Sequence, residues 1–352
     1  MKVFEIECRS SVDQRHWDDL ASEFNGCFFH CYACGIYESY GPHRQPLFVK
    51  ALDDSGVCIG IAVGRIEWPR FWPFSRFCKR AVFGALPATR EKNPDAQLVI
   101  MAALEPVLRK IGVCEMHVGA FDSSNSGDVL NRLSYRLRSR SEFYIDLSRP
   151  IEEIWNALKP TKRTNIRKAQ KLTMRCQVET SLIAIRQFLS LQKESMQRRG
   201  IVLTHDEEVA QSSLKDLLES GRAKLLVSYL DGIPVNAGLL GVFGSKAYYL
   251  AGGSSPEGNQ SRGPVFLFWT AIEMLKNQGG EVLNLGGVST SNDEESPQEG
   301  LYGFKQSFGS TVMPQPAGEK IISRLGAALH NFLQMVTRLY VPLMQRCLSG
   351  WV

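Results

Sequence analysis

The side chains whose types and spacing suggest chemistry concentrate around a glycine-rich turn in the second half of the chain. A predicted strand containing Tyr249 runs into two glycines, and Gln260, Arg262 and Gly263 then precede Pro264 at the start of an apolar helix. Free backbone N–H groups at a helix N-terminus bind phosphates and carboxylates, and an arginine adds a fork of donors. The stretch predicts an anion-binding turn, and an ordinary structural turn explains the same glycines equally well.

A second set of candidates is a basic stretch between residues 154 and 178, which holds seven lysines and arginines and no acid. Arg163 and Arg167 are four residues apart, so a helix places them on one face. Together with Lys162 they carry enough positive charge to bind a polyphosphate or a nucleic-acid backbone. A basic linker helix between two domains is the equally weighted alternative.

Three cysteines, Cys27, Cys31 and Cys34, have the C-x3-C-x2-C spacing of radical-SAM iron–sulfur sites, and His30 stands among them. The second signature of those enzymes is misplaced, because the Gly-Gly-Glu of this chain lies far downstream at 279–281. Buried free thiols also behave as ordinary small apolar side chains. We therefore expect no metal site, and an iron–sulfur or zinc protein stays the less favoured alternative.

The composition narrows the class of protein further. The 352 residues are 44% hydrophobic and 22% charged, which excludes a disordered chain, a collagen and a coiled-coil rod. The chain contains no G-x-S-x-G, H-E-x-x-H, Walker or Rossmann motif, which disfavours a hydrolase triad or a zinc enzyme. Nine scattered cysteines, an acidic start and the lack of a long apolar run predict a protein of the cytoplasm.

The elements that must position these residues follow a plan that occurs twice. The first copy comprises strands at 46–52, 57–66, 80–85 and 113–120, with a helix at 97–110. The second copy comprises strands at 224–230, 235–243, 246–251 and 281–285, with a helix at 265–277. A helical block separates the copies, with helices at 151–158, 162–171, 181–199 and 205–220. We interpret the plan as a duplicated unit of mixed α and β structure.

Two segments bear on location. Residues 68–80 combine five aromatic and four basic side chains without an acid, and residues 320–352 form a basic amphipathic tail helix. Such mixtures favour a membrane interface, at about 1 kcal/mol per basic residue near anionic lipid. They raise peripheral contact with the inner face of the plasma membrane as a hypothesis. An aromatic flap and a tail helix that cover the protein's own surface are the slightly favoured alternatives.

The second half also resembles a known family. Trp155 and the segment 162–169, which reads KRTNIRKA, are similar to the "W…R…IRKA" segment of the FemABX peptidyltransferases. The runs 249–253, 284–287 and 300–309 follow the order of that family, and the BioF-like (CelD-like) acyltransferases share the ending. The loop 260–265 resembles a degenerate form of the Gln-x-x-Gly-x-Gly/Ala loop that holds the coenzyme A pyrophosphate in GNAT acetyltransferases.

This resemblance implies an α+β fold with two tandem GNAT-like (acyl-CoA N-acyltransferase) domains, mixed sheets and a C-terminal amphipathic helix. We expect an N-terminal GNAT-like domain over 1–140, a FemAB/BioF-like acyltransferase domain over 141–318 and a tail helix over 319–352. The family further implies N-acyl transfer, in which an amine on a cell-envelope precursor attacks an activated ester or thioester. The donor is aminoacyl-tRNA or acyl-CoA, and no tightly bound cofactor is implied.

The resemblance also assigns roles to residues. Lys305, beside Phe304, becomes the candidate for stabilising the oxyanion. No general base is identifiable, and Tyr249, Tyr302 and Asp293 are candidates for that role by position only. The anion-binding candidates implied by the same motifs are Lys162, Arg163, Arg167, Gln260, Arg262, Gly263, Asn284, Gly286 and Gly287. The alternative from another functional class is a catalytically inactive GNAT-like scaffold that binds envelope or nucleic-acid partners.

Overall fold

The structure is a computed structural model that describes residues 5–69, 77–201, 206–289, 298–333 and 335. It divides into two compact units. Unit 1 contains residues 1–25, 38–138 and 317–352, and unit 2 contains residues 26–37 and 139–316. Asp293, most of the aromatic segment 68–80 and the tail beyond 335 lie outside the described residues.

The described strands and helices are numbered in chain order. The strands are β1 (Glu5–Arg9), β2 (Arg44–Leu52), β3 (Cys58–Glu67), β4 (Lys79–Phe83), β5 (Val113–Val118), β6 (Arg136–Arg138), β7 (Arg140–Asp146), β8 (Arg175–Glu179), β9 (Ala223–Leu230), β10 (Ile233–Phe243), β11 (Lys246–Ser254), β12 (Val282–Ser289), β13 (Thr311–Pro314) and β14 (Ala317–Ile321). The helices are α1 (Gln14–Glu23), α2 (Tyr32–Ser39), α3 (Pro94–Lys110), α4 (Ser126–Arg132), α5 (Ile151–Ala157), α6 (Pro160–Lys171), α7 (Leu182–Gln197), α8 (Glu207–Glu219), α9 (Pro256–Gln260), α10 (Gly263–Asn277), α11 (Gln298–Gln306) and α12 (324–333).

Each unit is built on one mixed sheet of seven strands. The order is β1-β2-β3-β4-β5-β14-β6 in unit 1 and β13-β7-β12-β11-β10-β9-β8 in unit 2. The pairs β4–β5 and β11–β12 are parallel, and the other neighbours are antiparallel. The two sheets therefore repeat one plan, and the expectation of a duplicated α+β unit is confirmed.

One strand of each sheet is out of chain order. β14 lies between β5 and β6, and β7 lies between β12 and β13. Because β14 pairs with both of its neighbours, residues 317–321 are part of unit 1. This differs from our sequence-based division, which ended the second domain at 318 and treated the tail as a separate element. Residues 26–37 also join unit 2 rather than the N-terminal unit.

Local sequence signals explain most boundaries. Asp231 and Gly232 both have positive φ, as the two-residue turn between β9 and β10 requires. Asn93 Oδ1 accepts the backbone N–H groups of Asp95 and Ala96 and so caps α3, and Gly112, with φ of 86°, follows its end. The turn and capping signals of the sequence therefore operate in the folded protein.

Each unit has its own apolar core. In unit 1, β2–β5 pack against α3 and α4 through side chains that include Phe83, Leu104 and Met116. In unit 2, β7, β12 and α10 surround Phe143, Phe268 and Phe308. Within the described residues, no helix has both the length and the apolar character to cross a bilayer.

Candidate functional site

The candidate site opens where two parallel strands of unit 2 separate. β11 and β12 pair only from Lys246 and Val282 to Tyr248 and Asn284, although both strands continue further. A cavity of about 380 Å³ lies in this part of unit 2. Its lining residues are Ser195, Arg198, Arg199, Asn236, Tyr249, Gly252, Gly253, Ser254, Asn259, Pro264, Phe268, Gly300, Leu301, Phe304 and Lys305.

The corresponding strands of unit 1 stay joined. β4 pairs with β5 along its whole length. Beyond β4, Gly119 N–H donates to Phe83 O at 2.7 Å and Phe121 N–H donates to Gly84 O at 3.3 Å. A Cβ on Gly119 would lie 2.4 Å from the Gly84 oxygen, so the two backbones are in close contact. The separation that forms the cavity in unit 2 is thus bridged in unit 1.

Lys305 is a buried cation in the last turn of α11, with only 4% of its surface exposed. Its Nζ donates to the carbonyl oxygen of Gly287 at 3.2 Å and lies 5.9 Å from the centre of the Phe143 ring. Burial, and to a smaller extent the neighbouring Arg140, lower the pKa of Lys305 to about 8, although Glu142 acts in the opposite direction. Lys305 therefore remains largely protonated at pH 7 inside an apolar wall.

A buried polar network holds the backbone that binds Lys305. The fully buried Glu142 forms an ion pair with Arg140 Nη2 at 2.8 Å, and its Oε2 accepts from Tyr144 Oη at 2.5 Å and from Asn284 Nδ2 at 2.7 Å. Asn284 Oδ1 in turn accepts the N–H of Gly286 at 2.7 Å. The register of β12 on β7 shifts between Asn284 and Gly287, where Gly286 has φ of 82°. Asn284 and its neighbouring glycines therefore position the backbone carbonyl to which Lys305 donates.

Aromatic rings form one wall of the cavity. Phe304 packs against Phe268 with ring centres 5.7 Å apart, and Tyr249 packs against the same ring at 4.7 Å. Burial raises the pKa of Tyr249 to about 12, so its phenol keeps its proton at neutral pH and is a hydrogen-bond donor. Tyr302 is in contact with Phe143, at 4.9 Å, and does not line the cavity.

The opposite wall comes from α7, which our sequence reading did not connect with the site. Ser195 Oγ accepts the N–H of Ser254 at 2.9 Å and donates to its carbonyl at 3.1 Å, and Arg198 also donates to that carbonyl. A Cβ on Gly253 would lie 2.3 Å from the backbone of Leu191. The only sequence signal for this contact is the glycine pair itself, which allows α7 to approach β11.

The predicted anion-binding turn has few free donors. Arg262 has φ of 71°, its N–H is bonded to Asn259 O, and its carbonyl accepts from the N–H groups of Val265 and Phe266. Pro264 has no N–H, so Gly263 supplies the remaining amide of the first turn. The side chains of Gln260 and Arg262 are exposed and do not line the cavity.

The basic helix α6 has three separate roles in the structure. Lys162 Nζ lies 4.2 Å above the Phe304 ring, and burial lowers its pKa. Arg163 Nη1 donates to the carbonyls of Asn156 and Leu158 and so caps α5. Arg167 lies over the ring of Trp155 at 5.4 Å. Of the three predicted anion-binding residues, only Lys162 is in contact with a residue of the cavity wall.

The cysteine cluster is part of the interior of unit 2. Cys27, Cys31 and Cys34 are buried, and Cys27 Sγ is 3.2 Å from His30 Nδ1. Across the described ranges, the one group of three or more potential ligands within reach of a common ion is Glu115, His117 and Glu319 in unit 1. The three thiols are not part of such a group.

Comparison with known proteins identifies one family-level similarity. Residues 211–322 match the model of the FemAB family. A segment of 95 residues is 30% identical to the lipid II:glycine glycyltransferase of Staphylococcus haemolyticus (strain JCSC1435). That segment covers 27% of this chain and 22% of the relative, so the match spans about a fifth of the relative's length.

Solved structures match nearly the whole chain. A crystal structure of FemX superposes with a TM-score of 0.69 and 15% identity, covering 95% of this chain and 99% of the other. A tandem GNAT protein from the clavulanic acid biosynthesis pathway has a TM-score of 0.52 and 12% identity, with 91% and 99% covered. At these identities the similarity concerns the fold.

Proposed function

Because the chain is FemAB-like and its fold consists of two GNAT-like domains, we propose that it is an N-acyltransferase whose active site is the cavity of unit 2. The observation that carries this proposal is the buried Lys305 in the wall of a cavity lined by the part of β11 that lies beyond its pairing with β12. The likeness to FemX and to tandem GNAT proteins confirms the fold inferred from the resemblance. The proposed transfer activity is argued from the residues that line the cavity.

The proposed reaction is direct transfer between two bound substrates. The nitrogen of a neutral amine attacks the acyl carbonyl, the C–N bond forms and negative charge develops on the carbonyl oxygen. The bond to the leaving oxygen or sulfur then breaks, and that atom receives the proton which the amine loses. Holding the two substrates together supplies much of the acceleration.

Lys305 stabilises the oxyanion in this proposal. Its ammonium uses one N–H on Gly287 O, which leaves two donors for a ligand. A preorganised donor of this kind contributes about 10²–10³ in rate. Tyr249 is a second donor, since its high pKa excludes a role as a general base at neutral pH. Phe304 and Phe268 exclude water from the reacting groups.

We propose an aminoacyl group as the group transferred. The curated relative is named a lipid II:glycine glycyltransferase, and the family model covers the β11–α10–α11 region that builds the cavity. Aminoacyl-tRNA is then the donor. The turn at Arg262 also disfavours acyl-CoA, because Pro264 and the bonded amides leave Gly263 as the remaining backbone donor for a pyrophosphate.

The acceptor in this proposal is an amine on a cell-envelope precursor. A membrane-linked acceptor agrees with a location in the cytoplasm at the inner face of the membrane, where residues 68–80 and 320–352 are the candidates for contact. Arg167 and the exposed lysines of α6 are the candidates for binding a tRNA backbone or a precursor phosphate.

The test is a label-transfer assay with a cell-envelope extract, using labelled aminoacyl-tRNA in one reaction and labelled acyl-CoA in another. We expect label to move from tRNA, and Lys305→Ala to lose about 10²–10³ of the rate while folding normally. Lys215→Ala, which removes an exposed lysine of α8, is the matched control. Label that moves only from acyl-CoA contradicts the proposed donor, and full activity of Lys305→Ala contradicts the proposed site.

A further inference from the structure

Unit 1 carries a charged cleft whose lining comes from β4, β5, β6, β14 and α12. A row of paired polar side chains crosses its floor. Arg80 pairs with Glu115 at 2.7 Å, and His117 lies between Glu115, at 2.8 Å, and Glu319, at 3.2 Å. Arg138 completes the row by pairing with Glu319 at 2.7 Å. The register of β14 on β5, with Glu319 opposite His117, brings these groups to one face.

The cleft contains more cations than this row can neutralise. Its volume is about 1030 Å³, and its lining includes five lysines and arginines but only two carboxylates. Lys320 pairs with Glu105 at 2.6 Å. In the part of the chain that the structure describes, neither Arg136 nor Arg324 has a carboxylate within ion-pair distance. Two exposed guanidinium groups therefore face the same cleft with no carboxylate partner among the described residues.

The other lining groups suit an anion that accepts hydrogen bonds. Ser134 and Asn331 add a hydroxyl and a side-chain amide to the two free guanidinium groups. Guanidinium groups match phosphate geometry with two parallel hydrogen bonds. The volume is large enough for a nucleotide-sized molecule.

A divalent cation fits the same cleft poorly. Ligand atoms of Glu115, His117 and Glu319 lie within 4.8 Å of one another. However, each carboxylate is already paired with an arginine, and His117 directs one ring nitrogen to each of them. Binding a cation would require breaking these pairs next to further arginines, so the electrostatics favour an anion.

We propose that this cleft of unit 1 is a binding site for a diphosphate-bearing ligand, held by Arg136 and Arg324. The site is distinct from the cavity of unit 2, and the inference goes beyond the proposed transfer reaction. The paired row Arg80–Glu115–His117–Glu319–Arg138 forms the floor of the site, where two arginines and two glutamates neutralise one another. The two unpaired arginines supply the charge that recognises the ligand.

The experiment is isothermal titration calorimetry of the full chain at low ionic strength with inorganic pyrophosphate, UDP and citrate. We expect pyrophosphate and UDP to bind and citrate to bind much more weakly. Each of Arg136→Gln and Arg324→Gln should weaken pyrophosphate binding about tenfold, and the double variant about 100-fold. Tighter binding of UDP would identify a nucleotide as the source of the diphosphate, and equal binding would point to the diphosphate alone.

Two controls separate this site from other arginines. Arg15→Gln removes an exposed arginine of α1 in the same unit, and Arg262→Gln removes the arginine of the turn in unit 2. Both should bind pyrophosphate as the unchanged protein does. The proposal is overturned if the unchanged protein does not bind pyrophosphate, if citrate binds equally well, or if a control loses as much affinity as the double variant. Transfer activity is measured separately, so the failure of one proposal leaves the other standing.

Discussion

Lys305 illustrates a conflict between stability and chemistry at a single residue. Burial removes the ammonium of Lys305 from water and so disfavours its charged form, and the lowered pKa reflects this cost. The lysine keeps its positive charge at neutral pH because three neighbouring groups favour it. They are the carbonyl oxygen of Gly287, the Phe143 ring and the negative charge of Glu142. Perturbed pKa values of this kind are common among the residues of active sites.

The first prediction concerns the pH dependence of transfer. Since the pKa of Lys305 is about 8, the ammonium is present below that pH and is lost above it. The rate should therefore fall at alkaline pH with an apparent pKa near 8, and Lys305→Arg should shift this limb to higher pH at a lower maximal rate. Steady-state kinetics as a function of pH provide the measurement. An alkaline limb that is identical in both proteins would argue against Lys305 as its origin.

The second prediction concerns stability. The pKa falls from 10.5 to about 8 on folding, so between these values the unfolded chain binds more protons than the folded one, and stability rises with pH. At pH 7 the charged lysine therefore destabilises the fold. Lys305→Met should unfold at a higher temperature than the unchanged protein at pH 7, with a smaller difference above pH 10. Thermal denaturation followed by circular dichroism tests this, with Lys215→Met as the control.

The third prediction concerns Glu142, a positioning residue. Glu142→Gln removes the negative charge that opposes the lowering of the Lys305 pKa, so the alkaline limb should move to lower pH. It also leaves the half-buried Arg140 beside a neutral group, which should lower the stability of the fold. The pH–rate profile separates the two effects, because a purely structural role would lower the amount of folded protein without moving the limb.

At the scale of elements, the packing of α7 on β11 decides the shape of the cavity. Gly253→Ala would place a Cβ 2.3 Å from the Leu191 backbone, so α7 would have to move. We expect a loss of about 2 kcal/mol or more in the free energy of unfolding, together with lower activity. Gly300→Ala is the matched control, since it lines the same cavity and its Cβ would meet open space. Chemical denaturation measures both, and equal stability of the two variants would contradict this packing argument.

The helices and hairpins were the best predicted elements. Helices α3 and α10 and the strands around Gly56 and Gly232 were correct in type and nearly correct in bounds. Their apolar period and turn residues are local and strong. Six strands were missed, namely β1, β6, β7, β8, β13 and β14. Five of them have only three to five residues, and the longer β7 pairs with β12 and β13, which follow far along the chain. They form through pairing with distant strands.

At the scale of the whole molecule, β14 makes unit 1 depend on a segment that follows unit 2 in the chain. A fragment ending at Arg138 lacks the strand that lies between β5 and β6, and exposes their edges. We expect residues 1–138 to show no cooperative unfolding transition. The same fragment joined by a flexible linker to residues 317–352 should show one.

Circular dichroism and calorimetry of the two fragments give the comparison. A cooperative transition in residues 1–138 alone would show that β14 is dispensable for unit 1. Absence of a transition in the joined fragment would show that further segments are required. The sequence-based division at 140 and 318 could not anticipate this dependence, because nothing in the local pattern of 317–321 indicates its partners.

The sequence alone determined the duplicated α+β plan, the bounds of the strongest helices and the candidate Lys305 with Phe304, which the family resemblance singled out. These features depend on periodicity, turn residues and motifs that are local along the chain. Only the tertiary structure decided that the cavity lies where β11 and β12 separate, that α7 forms its second wall and that Glu142 and Asn284 seat the lysine. It also gathered the arginines of unit 1 into one cleft. These contacts join residues far apart in sequence, and their geometry depends on strand order and register, which a single sequence does not encode locally.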